Sequence, residues 1–383
     1  MAHIRPTTRV AAVREPLPTC DSLSVMTRKP QFGFCIPAFA NPGAAFFRTP
    51  AWTHLDPSDA VAAAVEAEEL GYDHLWMADH LMHGWDGAIM EGWTTLSFIA
   101  GQTSRIGLGT IHLAQPFRHP AILAKMAATL DALSNGRLIP FYDCGWGEAE
   151  VIAYGLDWPS ESERIARMDE GINLIRSLWG ADEPLDFKGH YFHTSQAVCK
   201  PGPVQRPMPP IWLGEARGDA WLDVVARQAD GFNSVPATVS RMASKLDALK
   251  AACHRQHRDP ADKRISLEIQ ILIAPTESGL RQTARDIAAL PPSPRGRQRD
   301  DIITYLDSGD SRPISAVIED WIVGTPDEVE ARMREYMELG VSDFMLWFVD
   351  FPSRAGMHLF AKSVAPRLRD VDVHALVAIE ERG

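Results

Sequence analysis

Short apolar runs alternate with amphipathic stretches along most of the chain, and this alternation sets the expected fold. Phe32-Gly33-Phe34-Cys35-Ile36 is a compact apolar run closed by Pro37, which predicts a buried strand. Ser58 to Leu70 carries apolar residues at helical spacing behind an Asp56-Pro57 start signal, and Gly71 ends it. The same two-part unit recurs. Strands are predicted at His74–Met77, Ile106–Thr110, Leu138–Tyr142, Ile211–Gly214, Gly231–Val235, Ile265–Ala274 and Asp343–Val349. Helices are predicted at Gly92–Gln102, Pro120–Leu133, Glu163–Leu178, Asp219–Gln228, Val239–Cys253, Thr325–Leu339 and Ala355–Arg367. Two stretches break the rhythm: a small β excursion at Phe187–Phe192 with the extended Pro201–Pro210, and a long polar insertion at 275–315.

Eight short strands, apolar on both faces and each followed by a helix, predict an α/β fold: a TIM-like (β/α)8 barrel with insertions. An open doubly wound sheet would place a Gly-rich turn after its first strand, whereas Pro37-Ala38-Phe39-Ala40-Asn41-Pro42 stands there. The expected organisation is a disordered leader over 1–30, with Met26 a candidate true start, one barrel domain over 31–370 and a tail over 371–383. The 275–315 insertion, with Arg295, Arg297 and Arg299, reads either as a solvated loop or as a lid closing on an anionic ligand.

Composition narrows the function classes. The 383 residues carry a formal charge of −12, which argues against a non-specific nucleic-acid binder. No apolar run approaches bilayer-spanning length, and the N-terminus has no apolar signal core, so a cytoplasmic protein with no membrane partner is expected. The five cysteines, at 20, 35, 144, 199 and 253, are widely spaced without a CxxC, which reads as a reduced protein with no metal or disulfide framework.

In a barrel, ligands bind at the C-terminal ends of the strands. That rule selects Phe39; Asp79 and His80, followed by His83 and Trp85; Thr110, Ile111 and His112; Asp143, Cys144 and Trp146; Gly214, Glu215, Ala216 and Arg217; Asn233 and Ser234; and Trp347. The mix is aromatic and polar, without a carboxylate cluster suited to Mg²⁺. His80 serves either a reaction or a structural hydrogen bond near Asp79. Cys144 has no base beside it in sequence and reads as a small buried filler. Gly214 to Arg217 precedes a helix, a place where backbone N–H groups bind phosphate.

The chain also resembles the bacterial luciferase-like oxidoreductases of the alkanesulfonate monooxygenase type, whose relatives include F420-dependent enzymes. The resemblance rests on Glu69–Trp76 with Asp79-His80, Thr103–Thr110, Arg118–Pro120 through Leu133–Arg137, and Gly145-Trp146 with Glu150 and Tyr154-Gly155. Pro209–Gly214 with Ala229–Gly231, and Gly324–Pro326, add support. It implies reduced FMN, delivered by a separate flavin reductase, reacting with O₂ to oxygenate a small substrate in a homodimer or tetramer. It places the cofactor against Thr110, Ile111, Asp143, Cys144, Trp146, Tyr154 and the loop Gly214, Glu215, Ala216 and Arg217. Catalysis is expected at His80, Asp79 and His112. Substrate contacts are expected at Phe39, Trp85, Trp93 and Trp347, an aromatic set suited to a flat heterocycle such as a flavin. Two departures stand out: Glu215 and Ala216 where the family has small residues near phosphate, and a bulky Phe141-Tyr142-Asp143 strand end. Two alternatives accompany the FMN monooxygenase reading. One is an F420-dependent oxidoreductase that transfers hydride, and the other is a non-catalytic flavin-binding protein of the same fold.

Overall fold

The computed structural model of the protein describes residues 28–215, 218–291 and 298–380. Most of the expected leader, the end of the tail, Ala216, Arg217, Arg295 and Arg297 lie outside them.

The eight barrel strands pair in parallel, and the pairing closes on itself. Gln31–Cys35 lies between His74–Ala78 and Asp343–Phe348, with Gly33 opposite His74 and Gln31 opposite Asp343. Gly107–Ile111 follows beside the second strand. The third and fourth strands are each interrupted once. Leu108 pairs with Leu138 before the breaks, and Leu113 with Tyr142 after them. The break in the fourth strand falls at Pro140, which has no N–H to donate to a ladder. The break in the third falls at His112, where the Ile111–His112 peptide is cis. Phe141 then pairs with Trp212, Gly231 with Trp212 and with Arg264, and Ser266 with Asp343, which returns the sheet to the eighth strand. The helices lie between successive strands, as the sequence pattern predicts, and Pro120–Leu133 and Asp219–Gln228 match it residue for residue.

The barrel interior is filled by large rings facing glycines. Trp76 and Trp212 are buried with ring centres 5.3 Å apart. A Cβ on Gly109 would lie 2.2 Å from Trp76 Cε3, and one on Gly33 2.2 Å from Trp76 Nε1. These glycines therefore exist to admit the indole, and their neighbours on each strand supply the apolar layers.

The 275–315 insertion contains more structure than its polar composition suggests. Helices Glu277–Ala288 and Asp300–Ser308 pack Leu280, Ala284, Ile287, Ile302 and Tyr305 into a small second core with Ile314 and Trp321. A short strand, Ile322–Gly324, pairs with the far end of the seventh barrel strand at Ile271–Ile273. Leu280, Ala284 and Ile287 have helical spacing, but Arg281, Arg285 and Asp286 between them mask the pattern in sequence. The β excursion is an antiparallel pair, Leu185–Lys188 with His193–Ala197, separate from the barrel. Among the described residues no helix is long and apolar enough to cross a membrane.

Candidate active site

A cavity of about 580 Å³ opens at the C-terminal end of the barrel strands. Ala78, Ile111, Val235 and Trp347 contribute from strand ends, Glu268 and Gln270 from within the seventh strand, Arg299 from the insertion, and Asp320 and Trp321 from just after it. The volume falls in the range of small-molecule sites. A second hollow, about 610 Å³, lies at the opposite end, bordered by Gln31, His74, Gly107 and Ile139. That end of a barrel serves stability, and its polar groups are tied to the loops there.

His80 lies on the cavity wall, and its chemistry is set by Glu150. His80 Nδ1 is 2.6 Å from Glu150 Oε1, and both side chains are nearly buried. Glu150 Oε2 accepts from the backbone N–H groups of Leu81 at 2.8 Å and Met82 at 3.1 Å. Burial alone would push the Glu150 carboxyl up, but the His80 contact and the two amides outweigh it and hold the carboxyl below its ordinary range. A carboxylate only accepts, so Nδ1 carries the proton and Nε2 of neutral His80 is left as an acceptor. The His80 ring stacks on His83 at 4.7 Å and meets Trp146 edge-on at 4.8 Å. Phe39 packs edge-on to His83 at 4.3 Å, which completes an aromatic wall. Among the described residues no group of three potential ligands gathers a metal ion.

Elsewhere around the cavity the charges are paired. Arg48 Nη2 is 2.9 Å from Glu268 Oε1, which also accepts from Trp347 Nε1 at 2.7 Å. Glu215, in the left-handed region at φ 64°, is 2.5 Å from Lys245 Nζ and accepts from the Val235 N–H at 2.9 Å. Arg299 is shared between Asp301 at 2.8 Å and Asp320 at 3.3 Å.

Of the residues singled out in sequence, Phe39, His80, Ile111, His112, Trp146, Glu215 and Trp347 come together on this cavity. Others do not line it. Asp79 is buried away from the wall, bound at both carboxylate oxygens by Arg118 at 2.7 and 2.8 Å and by the Ala114 N–H. Arg118 also reaches Glu91, which caps helix Gly92–Ala100, so Asp79 anchors a helix start instead of facing a ligand. Thr110 points into the sheet, where its hydroxyl bonds the backbone of Phe141. Asp143 is buried and accepts from the Gly145 N–H at 2.7 Å, beside a hollow of about 10 Å³ that adjoins His80 and His112. Cys144 and Gly214 are buried off the cavity. Tyr154 is exposed and reaches the Leu81 carbonyl. Trp85 lies outside the wall, half exposed, and Trp93 is buried in its helix interface. Ala216 and Arg217 lie outside the described residues. The sequence rule overlooked Glu150, Arg48 and Glu268. Glu150 stands within a stretch that carries the family resemblance, but Arg48 and Glu268 carry no local signal.

Comparison with known proteins separates the cofactor readings. The family model for luciferase-like monooxygenases matches residues 32–343. Among curated proteins, the F420-dependent glucose-6-phosphate dehydrogenase of Amycolatopsis mediterranei is 30% identical over 82% of this chain and 95% of its own length. The enzyme of the same name from Mycobacterium avium is 32% identical over 82% of this chain and 94% of its own. A solved F420-dependent secondary alcohol dehydrogenase, in complex with an F420-acetone adduct, superposes with a TM-score of 0.68 at 22% identity. It covers 89% of this chain and 100% of its own, a likeness of fold. These relatives overturn the order expected from sequence: reduced FMN with O₂ and a reductase stood first, and F420 is the cofactor that the similar curated proteins carry in their names. With its family model spanning most of the barrel, the chain belongs to the luciferase-like monooxygenase family of oxidoreductases.

Proposed function

We propose that this protein is an F420-dependent oxidoreductase that exchanges hydride with a small alcohol or carbonyl substrate. The observation that carries the reading is the alignment of F420-dependent dehydrogenases over 82% of the chain at about 30% identity. The cavity fits a flat ring system with a polar chain. Ile111 and His112, which the family resemblance places beside the ring, line it together with Trp146. Glu215, on the loop associated with phosphate, is neutralised by Lys245 and presents no bare negative charge there.

F420, when bound, supplies a two-electron hydride acceptor or donor. Oxidation of an alcohol removes a hydride from carbon and a proton from oxygen, leaving a carbonyl. The proton needs a basic atom of the chain. His80 Nε2 is that atom: Glu150 fixes the tautomer with Nδ1 protonated and stabilises the imidazolium once the proton arrives. In the reverse direction the same imidazolium returns the proton to the carbonyl oxygen. Trp146, His83 and Phe39 close the wall around this exchange and limit water.

The test is a cofactor comparison on purified protein. Oxidised F420 is mixed with a panel of alcohols, and reduced F420 with the matching carbonyl compounds, following the deazaflavin absorbance. Reduced FMN under air is run in parallel, with products weighed by mass spectrometry. Redox change of F420 is the expected result. An oxygenated product formed with FMN, and no change of F420 with any substrate, would overturn the proposal.

A further inference from the structure

Among the described residues on the cavity wall, Arg48 is the arginine with a buried nitrogen that has no hydrogen-bond partner. It comes from the loop after the first strand, which is tightly held. Gln270 Nε2 bonds the Phe46 carbonyl at 2.7 Å, Gly43 N–H the Pro50 carbonyl at 2.9 Å, and Thr49 Oγ1 the Phe39 carbonyl at 2.8 Å. Phe46 and Arg48 both stand in the left-handed region, at φ 50° and 57°. Arginine gains nothing locally from that conformation, so the fold holds it there for its position. The guanidinium carbon lies 5.3 Å from the Phe47 ring centre and 5.4 Å from that of Trp347. The residue is 8% exposed and Glu268 3%. Nη2 is committed to Glu268, while Nη1 is buried with no hydrogen-bond partner among the described residues. A buried donor left without an acceptor is costly, and one held on a cavity wall calls for an acceptor from what enters the cavity.

The charge around it decides what that ligand is. Glu268 cancels Arg48, Lys245 cancels Glu215, and Asp301 and Asp320 offset Arg299. Aromatic surface from Phe39, Trp146, Trp321 and Trp347 makes up much of the remainder. A phosphate or carboxylate brought into such a wall would be a desolvated charge without a free counter-charge, whereas a neutral oxygen needs only a donor.

Resting on the F420 reading above, we propose that Arg48 is the specificity-determining donor of this site. Nη1 holds an oxygen of a neutral carbonyl or hydroxyl compound, the Phe47 ring yields to admit it, and the Glu268 partnership turns away phosphorylated and carboxylated compounds. This separates the chain from the sugar phosphate that its relatives' names carry.

The experiment is a binding titration on the cofactor-free protein, read by tryptophan fluorescence, since Trp146, Trp321 and Trp347 border the cavity. Cyclohexanone, cyclohexanecarboxylate and glucose 6-phosphate are the probes. Wild type is expected to bind cyclohexanone more tightly than either anion. Arg48→Met should weaken cyclohexanone roughly 10-fold or more. Glu268→Gln keeps the shape and an acceptor for Arg48 but removes the counter-charge. It should reverse the order, with cyclohexanecarboxylate gaining roughly 10-fold or more over the ketone. A merely structural arginine would not reverse a preference, so this arm decides even if Arg48→Met misfolds. Wild-type preference for either anion, no saturable ketone binding, or an unchanged preference in Glu268→Gln would overturn the proposal. F420 binding, followed separately by the cofactor's own fluorescence, isolates the cofactor reading. Its failure would defeat that reading and leave the probe order intact.

Discussion

The carboxylate of Glu150 lies 2.6 Å from Nδ1 of His80, across 70 residues of sequence. A helix that begins after the fourth strand thus orients the imidazole that follows the second. Such a carboxylate fixes which nitrogen carries the proton and steadies the cation formed when the other nitrogen takes one. If His80 is the proton carrier, His80→Gln should lower kcat for F420 reduction by roughly 10²–10⁴-fold with little change in F420 binding. Glu150→Gln should lower it as well, through the wrong tautomer. Steady-state kinetics beside a cofactor titration checks both. Full activity in either variant would remove His80 from the proton path.

The same pair has a consequence for stability. The folded Glu150 carboxyl is held below its ordinary range, against the push of burial, by His80 and two backbone amides. A carboxyl whose folded pKa is lower than its unfolded value of about 4.3 contributes stability that is complete above that value. The contribution disappears as pH falls through the folded pKa. Glu150→Gln should therefore melt below wild type at neutral pH, with the gap narrowing under acid. Thermal melts at several pH values check this; a gap that stays constant would sink it.

Asp79 is expected to matter for folding more than for chemistry. Its side chain is 2% exposed and binds Arg118 at both oxygens, and Arg118 links it to Glu91. Removing the Asp79 charge leaves the nearly buried Arg118 with only the more exposed Glu91 as counter-charge, so Asp79→Asn should cost about 3 kcal/mol in denaturant unfolding. The folded fraction should keep cofactor affinity. A variant as stable as wild type but catalytically dead would place Asp79 in the reaction after all.

The barrel interior predicts an equally local failure. Gly109→Ala puts a methyl 2.2 Å from the Trp76 ring, which is itself packed on Trp212. Neither indole has room to move, so overpacking should cost about 1–3 kcal/mol. Pairing the change with Trp76→Leu should recover part of the loss, which a double-mutant cycle measures. Additive losses would show that the glycine answers to something other than the indole.

The barrel was legible in the sequence because each strand is a continuous apolar run and each helix carries its own period, and both are properties of neighbouring residues. The rule that ligands meet strand ends then found His80, Ile111, His112, Trp146, Phe39 and Trp347. It put Thr110 at the ligand, whereas successive residues of a strand face opposite ways and the Thr110 hydroxyl turns into the sheet; Cys144 is buried, as the reading of it as a small filler expected. It missed Arg48 and Glu268, which barrel closure brings to 2.9 Å although they are far apart in the chain. The cofactor was open for a different reason: one fold and one set of local motifs serve both flavin and deazaflavin chemistry, and the names of similar curated proteins favour F420. The amino-acid sequence by itself determined the eight-unit barrel, since local apolar periodicity suffices for it, and with it the end at which the candidate cavity opens. Only the tertiary structure decided which strand-end residues share a cavity and which charges neutralise one another, since those depend on side-chain direction and on contacts between segments far apart in the chain.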